Sequence, residues 1–473
     1  MEDTLVNSKS SGFLSFAKST GIFFVGSSMS KIITLLLIPL YTNVLPTQDY
    51  GYYDLSITYA TLLTSFLYCD IWSSVMRMMR DDLEGEAPWK VIASGWVIFA
   101  VSTILYILIA LGLSLFIDIP SLGLILIYGV TTNCQSMFSG IARGKGNNVD
   151  FAISGVLCTL LNVGLNLFLI LLLHLGYESL YISYAAGFTI QCVYLFCRME
   201  MWNHIHKPDS NQVRDLFIYS APLGINSVAY WFLTSLSRVA VSTVLSLSAN
   251  GVFAIGSKFG STVALATTCF TLAWQDVAFT SEIKPASFYS RAISQYTGFL
   301  LSSTAVLLPV ISLAFPILVG SSYSAAYSVV PSFLWVAVVS AVSTFIGNIF
   351  YVIKDTKTIG VSMVISCIAN GILVYPLTEY FGCFGSNLSV LISFILNIVI
   401  RCAILEKRIG IFVELRSFLL PAVLLIVCSA AYFSGSFDLN ALSLVFSIFG
   451  TFMLYRSRIS TLLSAVFLKV SRR

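Results

Sequence analysis

The chain predicts an all-α polytopic membrane protein of about fourteen transmembrane helices, two pseudo-symmetric parallel six-helix lobes around a central cavity plus two C-terminal helices. Three observations carry that expectation. The composition is 57% hydrophobic and only 10% charged, with a mean hydropathy of +0.88, which no water-soluble globule of 473 residues shows. Apolar stretches of about twenty residues, each long enough to cross a bilayer core as a helix, recur along the whole length. All but three of the 26 Lys and Arg residues then fall on one side of the resulting plan.

The stretches run at 12–41, 50–72, 91–117, 120–141, 150–173, 179–199, 215–246, 250–279, 292–318, 325–353, 358–380, 384–405, 417–435 and 440–458. The opening MEDTLVNSKSSG is polar and no small-residue cleavage site follows a short apolar region, so the first helix is expected to be a retained signal anchor. Lys9 and Lys18 flank it and place the N-terminus in the cytoplasm by the positive-inside rule. Successive inner connections then carry Arg77, Arg80 and Lys90, Arg143 and Lys145, Arg198, Lys207 and Arg214, Lys284 and Arg291, and Lys354 and Lys357. Arg401, Lys407, Arg408 and Arg416 fall in the last inner connection, and the tail from Arg456 to Arg473 is cytoplasmic too. Outer loops hold acids such as Asp49, Asp118, Glu178, Glu379 and Asp438. The expected domains are an N-lobe at 1–200, a C-lobe at 201–410 and a two-helix appendage with its tail at 411–473.

The outer loops are too short for an extracytoplasmic catalytic domain, so an enzyme is not expected. Ten cysteines form no CxxC, and most sit inside spans as small apolar packing residues, which argues against a disulfide framework. His204 and His206 form an HxH in the loop before the seventh span, short of the roughly four ligands that a structural metal site takes. No GxxxxGK[ST] occurs, so no nucleotide cofactor is expected, and no nucleic acid partner either.

The three exceptional cations are Lys31, Arg238 and Lys258, each within an apolar stretch where a bare charge costs about 2.5–3.5 kcal/mol or more. At 1.5 Å per residue they lie about 12–15 Å from the outer ends of spans one, seven and eight, so they share a depth. Three cations around one water-filled space suit a pyrophosphate, which Arg grips in bidentate fashion and Lys attracts as a point charge. Only Asp54 sits at comparable depth, as a candidate ion-coupling group. The structural alternatives are a snorkelling Lys31, a Lys258–Asp54 pair, and an Arg238 bonded to backbone carbonyls. Asp70 and Asp276 fall near the inner ends of spans two and eight and, with Arg77, form a candidate cytoplasmic gate. Asn226 and Asn348 are candidate sugar contacts, Tyr230 and Trp231 candidate stacking groups, and Asn162, Asn166, Asn370 and Asn397 interhelical glue. Pro222, Pro309, Pro316 and Pro376 mark helix bending points.

Sliding the chain by 200 residues aligns Ser27 with Ser227, Thr34 with Thr234, Leu36 with Leu236, Val44 with Val244, Leu45 with Leu245 and Gly51 with Gly251. Six intervening spans return the chain to one orientation, as parallel lobes require.

Residues 214–280 resemble the central segment of bacterial polysaccharide-repeat flippases, in which a "YSlPl" helix opening, a late Ser and Arg, a "GiYavasKf" turn and a late "AWQ" follow in order. Here these are YSAPL, Ser237–Arg238, GVFAIGSKF and Ala273-Trp274-Gln275. The opening FAKSTGIFFVGSSMSKIITLLLIPLYTNVLPTQDYGYYDL, the Ser74–Arg77 turn, Ala142-Arg143-Gly144 and GSSYSAAYSVVP extend the likeness over most of the chain. Many relatives carry an acid before the Arg of the seventh helix, whereas Ser237 stands here.

The resemblance implies the O-antigen flippase branch of the multidrug, oligosaccharidyl-lipid and polysaccharide exporter superfamily. It implies a role in lipopolysaccharide biosynthesis, moving an undecaprenyl-diphosphate-linked oligosaccharide from the cytoplasmic to the periplasmic leaflet of the bacterial inner membrane. Its expected partners are that lipid-linked unit, the membrane lipids, an O-antigen polymerase and a chain-length regulator. A cation or multidrug antiporter of the same superfamily, and a scaffold of the polysaccharide assembly machinery that transports nothing, are the alternatives.

Overall fold

The computed structural model describes residues 35–80, 86–204, 206–263, 267, 285–353, 355–412 and 416–470. Each of the fourteen predicted stretches contains helix, and there is no strand among the described residues. Eight helices of the described residues are long and apolar enough to cross a membrane by themselves, so the chain is a multi-pass membrane protein.

These residues form two compact units, the first holding those up to Ile255 with Ser321–Tyr323 and Met363–Val390, the second holding the rest. In the first, α1 (Ile38–Val44) has proline in its first turn, where a missing N–H costs no bond. Extended Pro46 ends the approach and starts α2 (Thr47–Tyr68), whose first turn carries Asp49 at the positive end of the helix. α2 stops at Cys69 and Asp70, consecutive non-glycine residues in the left-handed region (φ 49° and 52°), before α3 (Ile71–Met78) resumes. α4 (Ala87–Ser114), α5 (Leu122–Gly144), α6 (Asn148–Leu171) and α7 (Glu178–Arg198) follow. Asp209 caps α8 (Ser210–Thr234) by accepting from the Asn211 N–H at 3.0 Å.

The long seventh stretch does not stay one helix. After Ser235 it restarts as α9 (Leu236–Ala240), passes through a π turn at Val241–Leu245 and leads to α10 (Leu247–Gly260). A core of Tyr68, Ile71, Val75, Met137, Ile141 and Leu195 joins the C-terminal halves of α2, α5 and α7 to α3. Lipid is as apolar as these side chains, so close packing rather than escape from water is what holds the helices together.

The second unit contains α11 (Ala286–Leu318) and α12 (Ala326–Val352). The apolar stretch Thr356–Ile409 breaks at Gly382 (φ 60°, ψ −146°) into α13 (356–381) and α14 (383–409), and parts of this pair belong to each unit. The two arms are antiparallel: Ser389 donates to Asn370 Oδ1 at 2.8 Å, and Asn397 Nδ2 donates to the Ser362 carbonyl at 3.0 Å. α15 (Arg416–Phe433) and α16 (Phe437–Val470) complete the unit. Tyr327 and Tyr432 stack at 4.2 Å, and each hydroxyl donates to the other's backbone carbonyl.

Arg401, assigned above to an inner connection, lies instead within α14 and is only 4% exposed. Its guanidinium donates to Ser362 Oγ at 2.9 Å and to the Ser343 carbonyl at 2.7 Å, against Gly347, where any side chain would meet Nη1. The cation is satisfied by neutral oxygens of α12 and α13 and ties the three helices together.

Candidate functional site

The site grows from a crossing of α2 and α10. A Cβ added to Gly51 would overlap the Leu247 carbonyl and come within 2.8 Å of the Gly251 N; one added to Gly251 would overlap the Thr47 carbonyl and come within 3.2 Å of the Gly51 N. The contact is reciprocal at the same 200-residue offset that aligns the two sequence segments, so the internal repeat is realised as backbone against backbone. Only glycine at both positions permits it.

One turn beyond Gly51, α2 presents Asp54. Arg238 Nε donates to Asp54 Oδ2 at 2.8 Å, with side-chain exposures of 24% and 15%. Asn250, fully buried at the start of α10, donates through Nδ2 to the Gly51 carbonyl at 2.9 Å and to Asp54 Oδ2 at 3.4 Å. Both of its neighbours are acceptors, which fixes the amide's orientation, and its Oδ1 is buried with no partner. Asp54 therefore gathers a guanidinium and an amide at the glycine crossing.

Arg238 sits three residues past the break in the seventh stretch. The break frees the carbonyls of Phe232 and Leu233, and Asn370 Nδ2 takes both, at 3.0 and 3.2 Å. Ser237 and Ser386 exchange hydroxyl-to-carbonyl bonds at 3.4 and 3.2 Å. The 363–390 hairpin thus satisfies backbone groups that hydrocarbon could not, which is the condition for a discontinuous membrane helix. Trp231, expected as a stacking group, is buried and donates to the Thr58 carbonyl at 2.9 Å, so it packs α8 on α2; Tyr230 is exposed.

The other expected residues are placed as follows. Asn226 is exposed on α8, and Asp70, at the end of α2, accepts a short hydrogen bond from Ser227 of α8. Arg77 is exposed in the last turn of α3. Lys258 on α10 and Asn348 on α12 are half-buried in the second unit. Lys31 and Asp276 lie outside the described residues. The partner found for Arg238 is the group that the local sequence lacks: Asp54 supplies, from another helix, the acid that Ser237 does not.

Just past α3, Arg80 donates to the Arg143 carbonyl at 3.0 Å. Burial, with Arg80 nearby, pulls the Arg143 guanidinium below its ordinary pKa. Lys145 lies 3.5 Å over the Trp89 ring, and burial lowers its ammonium pKa likewise. His204 stacks on Trp89 at 3.9 Å while His206 Nε2 is 3.6 Å from Glu86, so the two imidazoles of the HxH serve different neighbours. Among the described residues no group of three metal-ligating side chains converges.

A 910 Å³ groove, almost wholly apolar, runs beside the site in the first unit between α2, α4 and α8, from Phe66 and Leu63 past Tyr59 and Phe232 to Ile117 and Asp118.

The described residues form a bundle of membrane-spanning helices, one of them broken three residues before a part-buried ion pair, and comparison with known proteins places that fold. The family model for polysaccharide biosynthesis proteins matches residues 16–274, more than half of the chain, and the chain belongs to that family. Among solved structures, the lipid II flippase MurJ in an inward closed conformation is 16% identical with a TM-score of 0.67, covering 93% of this chain and 100% of that one. An inward-facing multidrug resistance MATE family transporter of the MOP superfamily is 13% identical with a TM-score of 0.56, covering 84% and 99%. A MOP superfamily transporter from Pyrococcus furiosus is 14% identical with a TM-score of 0.52, covering 88% and 96%. At such identities the likeness is one of fold. None of the curated proteins compared matches the chain.

Proposed function

We propose that this protein is a flippase that carries an undecaprenyl-diphosphate-linked oligosaccharide, an O-antigen repeat unit, from the cytoplasmic to the periplasmic leaflet of the bacterial inner membrane, with both termini cytoplasmic. The observation that supports it most is Arg238, held beside Asp54 just past the break in its helix. Family membership and the shared fold of a lipid II flippase point the same way.

The pair gives the empty protein a neutral resting state. A diphosphate offers the guanidinium more charge than one carboxylate and the geometry for two parallel bonds, so cargo displaces Asp54. Asp54, once released, is the ion-coupling group, free to take a proton or sodium ion while the cargo is held. Lys31 and Lys258 add charge for the diphosphate, and Asn226 and Asn348 contact sugar hydroxyls. Asp70, Arg77 and Asp276 form the cytoplasmic gate. The transport mechanism is alternating access between lobes at 1–200 and 201–410, with the lipid tail left in the bilayer, and the product passes to an O-antigen polymerase and its chain-length regulator.

The test is surface O-polysaccharide in a strain lacking this protein and complemented with wild type, Arg238→Ala or Lys31→Ala at matched membrane levels. Loss of polysaccharide with the lipid-linked unit retained in the inner leaflet is expected for both variants. Normal polysaccharide in both sinks the cationic site, and normal polysaccharide in the deletion itself moves the protein to the antiporter reading, in which Asp54 binds a cation.

A further inference from the structure

We propose that the groove between α2, α4 and α8 seats a membrane phospholipid whose headgroup ends in a primary ammonium, with one hydrocarbon chain lying along the groove and the ammonium at Asp118. The proposal does not depend on the transport function above. The groove encloses 910 Å³. Its α2 wall is the stripe Tyr52, Ser56, Tyr59, Leu63 and Phe66, spaced by four and three residues in turn and so on one face of the helix. Leu113 lines it from α4, and Val228 and Phe232 from the last turns of α8 before its break. Fourteen residues separate Tyr52 from Phe66, which at 1.5 Å each is about 21 Å. One leaflet with its headgroups is about 20–22 Å deep, half of a bilayer of about 40–45 Å. The groove therefore has the length of a single lipid.

Its lining takes hydrocarbon. Three of the four lining hydroxyls are turned into the protein: Tyr52 donates to the Pro120 carbonyl at 2.8 Å, Ser56 to the Tyr53 carbonyl at 2.8 Å and Tyr106 to the Ile125 carbonyl at 3.2 Å. A polar ligand finds almost nothing to bond there, and an empty groove forfeits the dispersion contacts of its walls. The helix before α2 does not cover it: Tyr41 of α1 stacks on Tyr50 at 5.9 Å, and Tyr50 lies half a turn around α2 from Tyr59. Charge then selects the headgroup. Asp118 is the one charged side chain of the lining, exposed in the α4–α5 connection beside the Tyr52–Pro120 bond, and it pairs with no Lys, Arg or His among the described residues. The Tyr52 ring meets that of Tyr177 at 5.6 Å, which brings Glu178 to the same end, and Asp49 lies one turn before Tyr52. His174 is the only basic residue in the connections there. Such a rim repels an anionic headgroup and attracts an ammonium, whose N–H groups donate to a carboxylate as a quaternary nitrogen cannot.

The experiment titrates the purified full chain in detergent with phosphatidylethanolamine, phosphatidylcholine and phosphatidylglycerol of identical chains, and counts bound lipid by native mass spectrometry. Wild type is expected to bind phosphatidylethanolamine most tightly and phosphatidylglycerol least. Asp118→Asn should weaken phosphatidylethanolamine by about two- to fivefold, the worth of an exposed ion pair, and close most of its lead. Leu113→Trp, which fills the groove from α4, should weaken all three by about tenfold and keep their order. Equal binding of the three lipids by wild type overturns the proposal, as does a preference that Asp118→Asn leaves intact or phosphatidylethanolamine binding that Leu113→Trp leaves intact. Two other occupants would overturn it as well: a second copy of the chain, seen as a dimer that Leu113→Trp dissociates, and a polyprenyl chain, seen as undecaprenyl diphosphate displacing phosphatidylethanolamine from wild type.

Discussion

Replacing Asp54 by Asn removes the charge beside Arg238 and keeps the shape of the side chain. The amide oxygen still accepts from Arg238 Nε and Asn250 Nδ2, so what is lost is the compensation of a guanidinium that is only 24% exposed. Breaking a fully buried pair by changing one partner costs about 3–5 kcal/mol. Here the contact is single rather than bidentate and both side chains keep some exposure, which brings the expectation to about 2–3 kcal/mol. Arg238→Gln should cost a similar amount, because Asp54 is then left with the amide alone. The double variant carries two neutral groups in place of two charges and should lose well under the sum, with a coupling of about 1–2 kcal/mol. Equilibrium unfolding in mixed micelles for the four proteins of this cycle reads it. Additivity to within about 0.5 kcal/mol would show that the two residues do not act as a pair.

Gly251→Ala drives a methyl group into the Thr47 carbonyl and should destabilise by about 1–3 kcal/mol or more, read as a lower melting temperature. Asn370→Leu leaves the Phe232 and Leu233 carbonyls unpaired at the helix break and should cost about 1–3 kcal/mol in the same assay. At the start of α13, Asp355 accepts from Thr358 and pairs with Arg408 at 2.8 Å; chiefly the Thr358 hydroxyl, then the Thr358 backbone N–H, then the Arg408 charge, holds its carboxyl below the ordinary range. A depressed carboxyl stabilises the fold above its unfolded pKa and loses that contribution as pH falls through the folded value. Asp355→Asn should therefore lower the melting temperature near neutral pH and converge with wild type in acid. A gap that stays constant from neutral to acid pH would refute that assignment.

Much of the fold was legible because hydrophobic length is written locally: each stretch of about twenty apolar residues contains helix among the described residues. The break between Thr234 and Leu236 was not legible, since no proline marks it and its support, Asn370, comes from a distant hairpin. Arg238 was found because an intramembrane charge is costly and so conspicuous. Its pairing was not, because the spacing of 184 residues to Asp54 has no local signature. Asn250 escaped notice because the helix boundary was drawn at its position, which made an Asn-Gly pair resemble a turn. Arg401 escaped because a cation near the end of an apolar run looks solvated until neighbouring carbonyls are seen around it. The Gly51–Gly251 identity was visible as a repeat, while the contact it makes was not.

The function we propose has Arg238 hold a diphosphate-linked sugar lipid as it crosses the bilayer. Purified protein reconstituted into liposomes, with undecaprenyl-diphosphate-linked N-acetylglucosamine placed in one leaflet and its appearance in the other followed over time, tests it most directly. The account predicts transfer with wild type and little above empty liposomes with Arg238→Gln. Equal transfer by the two proteins, or none by a wild type that is folded and inserted, would contradict it.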